Sequence, residues 1–370
     1  MSDRSAGGFG RGARILSVGI AATGLVTFAY FALANRALGD DEYGRITLVW
    51  SVMFVVASVL YRPIEQLLSR TIAERRAHGL ARGHPLRVPL LIQTGFAVAF
   101  LVAALALRGP LQDGLLDGSA ALYWILVVGV LAYAASYFAR GFLAGSQRFD
   151  LYGGLVLLEA SARVLFALAA AVGLVAGQSV VAVGMAAAPL LSLVVVPLAF
   201  SRAAGRAPDA RAQPAPTTSG GPGDLTMRAG GGFALSVLGV MLAEQALINA
   251  AVLSAGAIAA DTAVAGLVFN ALLIARVPLQ LFQAVQGSLL PHLAGLQAST
   301  NRAAFTRAIR VTLLAIAGFA VLVTAGLLAL GPWAMDLLFP GDDQPFAYPR
   351  AGLALVGVGM GCLLAAGTLN

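Results

Sequence analysis

The chain has 370 residues, of which 59% are hydrophobic and only 11% charged, whereas soluble domains carry about a quarter charged residues. That composition excludes a soluble globular fold. The formal net charge of +7 is carried by arginine alone, since the 24 basic residues include no lysine. These arginines fall in short segments between apolar runs, the pattern of topology signals rather than of a nucleic-acid surface. The lack of lysine beside abundant Ala and Gly points to a GC-rich bacterial genome.

The first apolar run follows the basic segment MSDRSAGGFGRGAR. It is too long for a signal peptide and lacks a small-residue cleavage site, so it reads as a retained span. Ten spans are predicted, near 14–35, 44–69, 87–108, 121–143, 151–174, 179–201, 230–254, 262–290, 308–331 and 350–370, each long enough to cross a hydrocarbon core of about 30 Å. Loop charge tests this assignment. Seventeen arginines, from Arg4 to Arg310, lie on the side of the N-terminus. Four, Arg36, Arg45, Arg108 and Arg350, lie on the other, with nine acids such as Asp40, Asp41, Glu42 and Asp117. The positive-inside rule then places the N-terminus in the cytoplasm of a bacterium, the chain crossing the inner membrane many times.

Two cytoplasmic connections differ from the rest. TIAERRAHGLARGHPLR, between spans two and three, reads as a short surface helix whose arginines meet anionic headgroups, at about 1 kcal/mol each. Residues 204–227 are rich in Pro, Gly, Ser and Ala, cannot build a core, and read as a flexible linker. The linker divides an N-terminal six-helix lobe, 1–203, from a C-terminal lobe, 228–370, in which four helices are present. MRAGGGFALSVLG after the linker echoes GGFGRGARILSVG at the start. IAADTAVAGLVFN echoes LGDDEYGRITLVW, and matching Gly44 to Gly266 sets an offset of 222 residues, 266 minus 44. The expected fold is therefore all-α, with two pseudo-symmetric lobes. On that offset a complete second lobe would extend about two spans, on the order of 70 residues, beyond Asn370. The repeat thus predicts a second lobe that is incomplete.

Six ionisable residues fall inside spans: Arg62, Glu65, Glu159, Arg163, Glu244 and Arg276. Each costs about 2.5 to 3.5 kcal/mol at the bilayer centre and must face a partner or a wet cavity. Glu159 and Arg163 are four apart on one helix face in the favourable order, so a local ion pair is expected. Arg276 has no acid within four residues, and Gln280 and Gln283 extend a polar stripe along its face. Arg62 sits beside Pro63, which should loosen its helix, with Gln66 and Ser69 on its face. Unpaired guanidinium groups in a cavity attract phosphate or pyrophosphate. Arg276, Arg163, Arg62, Gln280 and Gln283 are thus candidates for a headgroup site. Glu244 is the candidate coupling carboxylate or the counter-ion of Arg276, and Glu159 and Glu65 are charge partners. Asn249, Asn270 and Gln283 are polar residues available for sugar recognition.

Enzyme signatures are missing. His78, His84 and His292 lie in loops without a second ligand at metal spacing, and Cys362 stands in an apolar run. GVGMGC follows no strand and reads as helix packing rather than a nucleotide loop. Neither a cofactor nor nucleic acid is expected.

ANRALGDDEYGRITLVWSVMFVVASVLYRPIEQLLSRTIAE resembles the opening of bacterial polysaccharide-export flippases. GFLAGSQRFDLYG and SLLPHLAGL resemble later steps of the same family. That family belongs to the multidrug, oligosaccharidyl-lipid and polysaccharide exporter superfamily. The resemblance implies two six-helix lobes around a central cavity and alternating-access export of undecaprenyl-pyrophosphate-linked oligosaccharide from the inner to the outer leaflet. Arg276, Arg163 and Arg62 would then face the pyrophosphate. Expected partners are the glycan lipid, membrane lipids and other polysaccharide-assembly proteins. A multidrug exporter of the same superfamily is the alternative. A membrane glycan polymerase or glycosyltransferase fits less well, because the longest outer loop, residues 332–349, is short.

Overall fold

The computed structural model describes residues 19, 22–77, 86–197, 226–258, 263–274, 302–339 and 349–369. These form helices and connecting turns. The helices are α1 (residues 22–37), α2 (Asp40–Ala77), α3 (Arg87–Ala106), α4 (Ala120–Gly145), α5 (Phe149–Ala171), α6 (Gln178–Ser192), α7 (Met227–Ile258), α8 (Ala263–Ile274), α9 (Arg302–Leu338) and α10 (Arg350–Leu369). A π-helical turn, Pro110–Leu115, joins α3 to α4, and a 3-10 turn, Leu193–Val195, extends α6.

Among the described residues seven helices are long and apolar enough to cross a bilayer, and the chain is a multi-pass membrane protein. The predicted spans at 14–35 and 262–290 run partly outside the described residues. The span at 350–370 forms a helix of 20 residues whose apolar part, Arg350–Cys362, is shorter. The linker lies largely outside the described residues; of the segment expected to form a separate surface helix, residues 71–77 instead continue α2, and 78–85 lie outside the described residues.

The centre of the bundle is α2, which packs on α4, α7, α3 and α6. Its first turn holds Asp40, Asp41 and Glu42, carboxylates that suit the positive end of the helix dipole. It continues for 38 residues, about 57 Å at 1.5 Å per residue, well beyond the hydrocarbon core. Pro63 lies inside this helix, which continues past it.

The contact of α2 with α4 depends on Gly141 and Gly145, spaced as GxxxG. A methyl group at Gly141 would come within 2.8 Å of the Glu65 carbonyl oxygen, and one at Gly145 within 2.9 Å of that of Ser69. Two buried tyrosines satisfy their hydroxyls on carbonyls of neighbouring helices. Tyr30 Oη donates to Val181 O at 3.0 Å and Tyr123 Oη to Ala104 O at 2.9 Å.

The two ends of the bundle are joined differently. At the acidic end, where α1 turns into α2, the first helices meet those after residue 226 through aromatic and polar contacts. Phe31 packs on Phe269 with ring centroids 4.5 Å apart, and Phe28 on Phe339 at 5.7 Å. Tyr43 Oη donates to Asn270 Oδ1, and Arg36 Nη2 donates to Leu337 O at 2.9 Å. A methyl group at Gly266 would lie 3.1 Å from the Tyr43 ring and 3.5 Å from Gly44 Cα, so the two glycines paired by the sequence echo lie against each other. At the arginine-rich end, α7 enters between α2 and α3, with Ala234 packed among Ile64, Leu67 and Ile92. There Arg70 lies over the Phe233 ring, 5.5 Å from its centre.

Gly141→Val should force α4 off the α2 backbone, with an overpacking cost of about 1 to 3 kcal/mol. Gly154→Ala, which enters open space, should not lower the melting temperature. Thermal unfolding of the purified protein, followed by loss of the monodisperse gel-filtration peak, distinguishes the two.

Candidate functional site

The buried charges gather where α1, α2, α4, α5 and α8 converge around a pocket of about 140 Å³. Glu159 is 3% exposed and Arg163 4%, so both are held in protein rather than lipid. They do not form the local pair that their spacing predicts. Glu159 Oε2 instead accepts from Arg140 Nη2 of α4 at 2.6 Å and from Ser136 Oγ at 2.9 Å. Arg163 turns away to the aromatic side of the pocket. Its guanidinium carbon lies 4.5 Å from the centre of the Trp50 ring, and Nη1 donates to Tyr133 Oη at 3.1 Å. The physical reason is packing. Glu159 faces α4, whose guanidinium reaches it with a short charge-assisted bond, while Arg163, one turn further along α5, faces the indole of α2.

Among the described residues Arg163 makes no ion pair. Two guanidinium groups, Arg140 and Arg163, thus face one carboxylate, Glu159, in the pocket wall, and one positive charge is left over. Nε of Arg140 and Nε of Arg163 are buried without a hydrogen-bond acceptor among the described residues. Tyr137 supports Arg140 from below, its ring centre 4.8 Å from the guanidinium carbon, and bonds Ser58 Oγ at 3.2 Å. Thr23, Thr27 and Phe54 complete the polar and aromatic wall, and Leu273 of α8 closes it from the other half of the chain.

A second cluster lies on α2 nearer the arginine-rich end. Glu65 Oε1 accepts from Tyr152 Oη of α5 at 2.7 Å. Arg62 lies within electrostatic reach of Glu65, of Tyr137 and of Glu244 on α7. Glu244 therefore faces Arg62 across the α2–α7 contact. Its expected partnership with Arg276 concerns a residue outside the described part, as do Gln280 and Gln283. Asn270 is engaged with Tyr43, and Asn249 Nδ2 donates to Gln245 O at 3.1 Å. Both asparagines are buried. No group of three or more metal-binding side chains occurs among the described residues.

Sequence reasoning missed Arg140, counting it among the loop arginines, and missed the aromatic wall. The signal was present. Tyr133, Ser136, Tyr137 and Arg140 recur at helical spacing, a polar stripe on an otherwise apolar α4.

Arg140→Gln leaves Glu159 charged and unpaired in the bundle, which should cost about 3 to 5 kcal/mol. Adding Glu159→Gln to the same chain should recover most of that loss. Melting temperatures of the two single variants and the double variant, taken as a double-mutant cycle, measure the coupling.

No family model matches the sequence. The chain is 28% identical over 352 residues to Uncharacterized protein Rv1510 of Mycobacterium tuberculosis, spanning 90% of this chain and 73% of that one. It is 26% identical over 384 residues to Uncharacterized protein Rv3630 of the same organism, spanning 99% and 81%. Two solved structures are similar. One is the inward-facing conformation of a multidrug resistance MATE family transporter of the MOP superfamily, with a TM-score of 0.62, 13% identity, and coverage of 95% of this chain and 79% of that one. The other is a mutant of the Vibrio cholerae MATE transporter VcmN, with a TM-score of 0.57, 15% identity, and coverage of 96% and 82%. This chain shares the helical fold of these MATE transporters.

Proposed function

We propose that the protein is a transporter of the bacterial inner membrane that carries an anionic lipid-linked substrate by alternating access. The substrate proposed is undecaprenyl-pyrophosphate-linked oligosaccharide, taken from the inner to the outer leaflet. The observation that carries this reading is the guanidinium of Arg163 in the pocket wall, which has no ion pair among the described residues. A guanidinium with a buried Nε and no carboxylate of its own is a receptor for a phosphate oxygen, which supplies both charge and acceptors. The fold of the MATE transporters supports movement between two access states.

In this reading the pyrophosphate draws Arg163 away from the Trp50 ring. Trp50 packs edge-on against Phe31, with ring centroids 5.4 Å apart, and Phe31 against Phe269 of α8 at 4.5 Å. Anion binding thereby reaches the contacts that hold the acidic end closed. Arg62 and Glu244, within electrostatic reach of each other across α2 and α7, are proposed as the charge pair at the opposite end. Arg276, Gln280 and Gln283, outside the described residues, are proposed as further headgroup contacts, and Glu244 as the carboxylate that exchanges a coupling ion for Arg62.

A multidrug exporter is the second reading. It is favoured by the aromatic faces of Trp50, Tyr133 and Tyr137, which suit an organic cation. The same Trp50 face, however, already holds Arg163, and Glu159 is already neutralised by Arg140.

Deleting the gene in its host should pile up lipid-linked oligosaccharide on the cytoplasmic leaflet. Wild type should clear it and Arg163→Ala should not, with a loss of headgroup affinity of roughly ten- to hundredfold for one charge-assisted contact. Unchanged glycan lipids together with new sensitivity to cationic dyes would replace this reading with the drug exporter.

A further inference from the structure

A second cavity opens on the other side of α4. It is a groove of about 710 Å³ between α3, α4 and the 3-10 turn after α6, lined by residues such as Leu90, Ala97, Leu131, Ala135, Phe138 and Val196. The residues of α4 that line it lie on the face opposite Tyr133, Tyr137 and Arg140. The groove is thus separated from the charged pocket by the body of the helix. It occupies the half of the bundle at the arginine-rich end, where α3 begins and α4 and α6 finish.

Two features make it more than a gap in an apolar wall. Gln93 lines the groove and is 7% exposed, yet its Oε1 is buried with no hydrogen-bond partner among the described residues. An unpartnered buried amide costs about 1 to 3 kcal/mol, which a change of the Gln93 rotamer toward a polar group in the groove would recover. Arg87 directly follows Leu86 of the groove wall and is exposed, without an ion pair among the described residues. Arg87, Thr94 and Val98 share one helical stripe, seven and four residues apart, and the last two line the groove. The helix start adds to this charge. Leu86 at the N-cap has no side-chain acceptor and no acid occupies the first turn; Pro89 has no N–H and that of Leu90 donates to Leu86 O, which leaves the N–H groups of Arg87 and Val88 without a partner among the described residues at the positive dipole end.

We propose that this groove holds a resident anionic phospholipid of the cytoplasmic leaflet. Its phosphate sits on the Arg87 guanidinium and the backbone N–H groups of Arg87 and Val88, and one acyl chain lies along the groove toward Leu101. Gln93 follows Arg87 by six residues, about 9 Å along the helix axis, the depth at which the acyl ester meets the chain region. Turning its amide over presents the NH₂ group to the ester carbonyl. The lipid fills the space that leaves α3 loosely held, for the most apolar stretch of that helix is only 22% buried by protein. A transported polyprenyl chain is a poorer occupant, because α4 separates the groove from the charged pocket.

The full-length protein, delipidated by detergent exchange, tests this directly. Added phosphatidylglycerol should raise the melting temperature saturably, and native mass spectrometry should retain one such lipid per chain. Arg87→Gln should weaken the half-saturation concentration about fivefold, the weight of one basic residue at an anionic lipid surface. Ala97→Phe, which fills the groove, should abolish retention. Val183→Phe, in a separate apolar groove between α4 and α6, should leave it intact. Equal retention by wild type, Arg87→Gln and Ala97→Phe would overturn the proposal. So would displacement of the phospholipid by undecaprenyl phosphate, which would assign the groove to the transported chain. Neither result bears on whether Arg163 binds pyrophosphate.

Discussion

A carboxylate cannot stay charged inside a helical bundle without strong donors, and the bond between Glu159 and Arg140 meets that requirement. The cost of desolvating two ions is returned only when geometry is good and the remaining donors and acceptors are satisfied. Glu159 takes two short bonds on one oxygen, from Arg140 and Ser136, and so fixes α5 against α4. Arg140 in turn rests on Tyr137, which bonds Ser58 of α2. One buried acid thus ties three helices together. Because Arg140 has taken the acid, Arg163 is left with aromatic partners, and the positive character of the pocket follows from the pairing.

The bundle around this network relies on close approach rather than on the hydrophobic effect, which does little to hold helix on helix in lipid. Gly141 and Gly145 let α4 touch the α2 backbone, on the same helix that carries Ser136 and Arg140 to Glu159 of α5. The same residues that make the packing tight also set the depth of the charged pocket. At the acidic end, Gly266 does the equivalent for α8, letting it approach Tyr43 and Gly44 closely enough for the Tyr43–Asn270 hydrogen bond.

Much of the fold was legible in the sequence because a membrane imposes one rule, that backbone polar groups must be satisfied within each helix. Apolar run lengths therefore located the helices, and the glycines matched between LGDDEYGRITLVW and IAADTAVAGLVFN prove to be neighbours in space. The site was legible only in part. Composition singled out Glu159 and Arg163 as buried and polar, but the sequence offered a partner four residues away and hid the one that wins. Pairing across helices depends on rotation about each helix axis, which is set by glycine contacts not visible as charge. Arg140 failed to register for a related reason. It lies five residues from the end of α4, where an arginine reads as a loop signal, and only the Tyr133, Ser136, Tyr137 stripe marks it as inward-facing.

The placement of Trp50 connects the pocket to the rest of the molecule. Its ring is shared, one partner being Arg163 and another Phe31, while Phe54 stacks alongside at 5.8 Å. A cation over an indole is held by a soft electrostatic attraction of about 0.5 to 2 kcal/mol, weaker than a guanidinium bound to phosphate by paired charge-assisted bonds. On the proposed reading an anion entering the pocket would compete for Arg163, whereas an organic cation would have to displace it. Aromatic surface alone does not decide which ligand a pocket selects. The charge already resting on that surface does, and here it is positive.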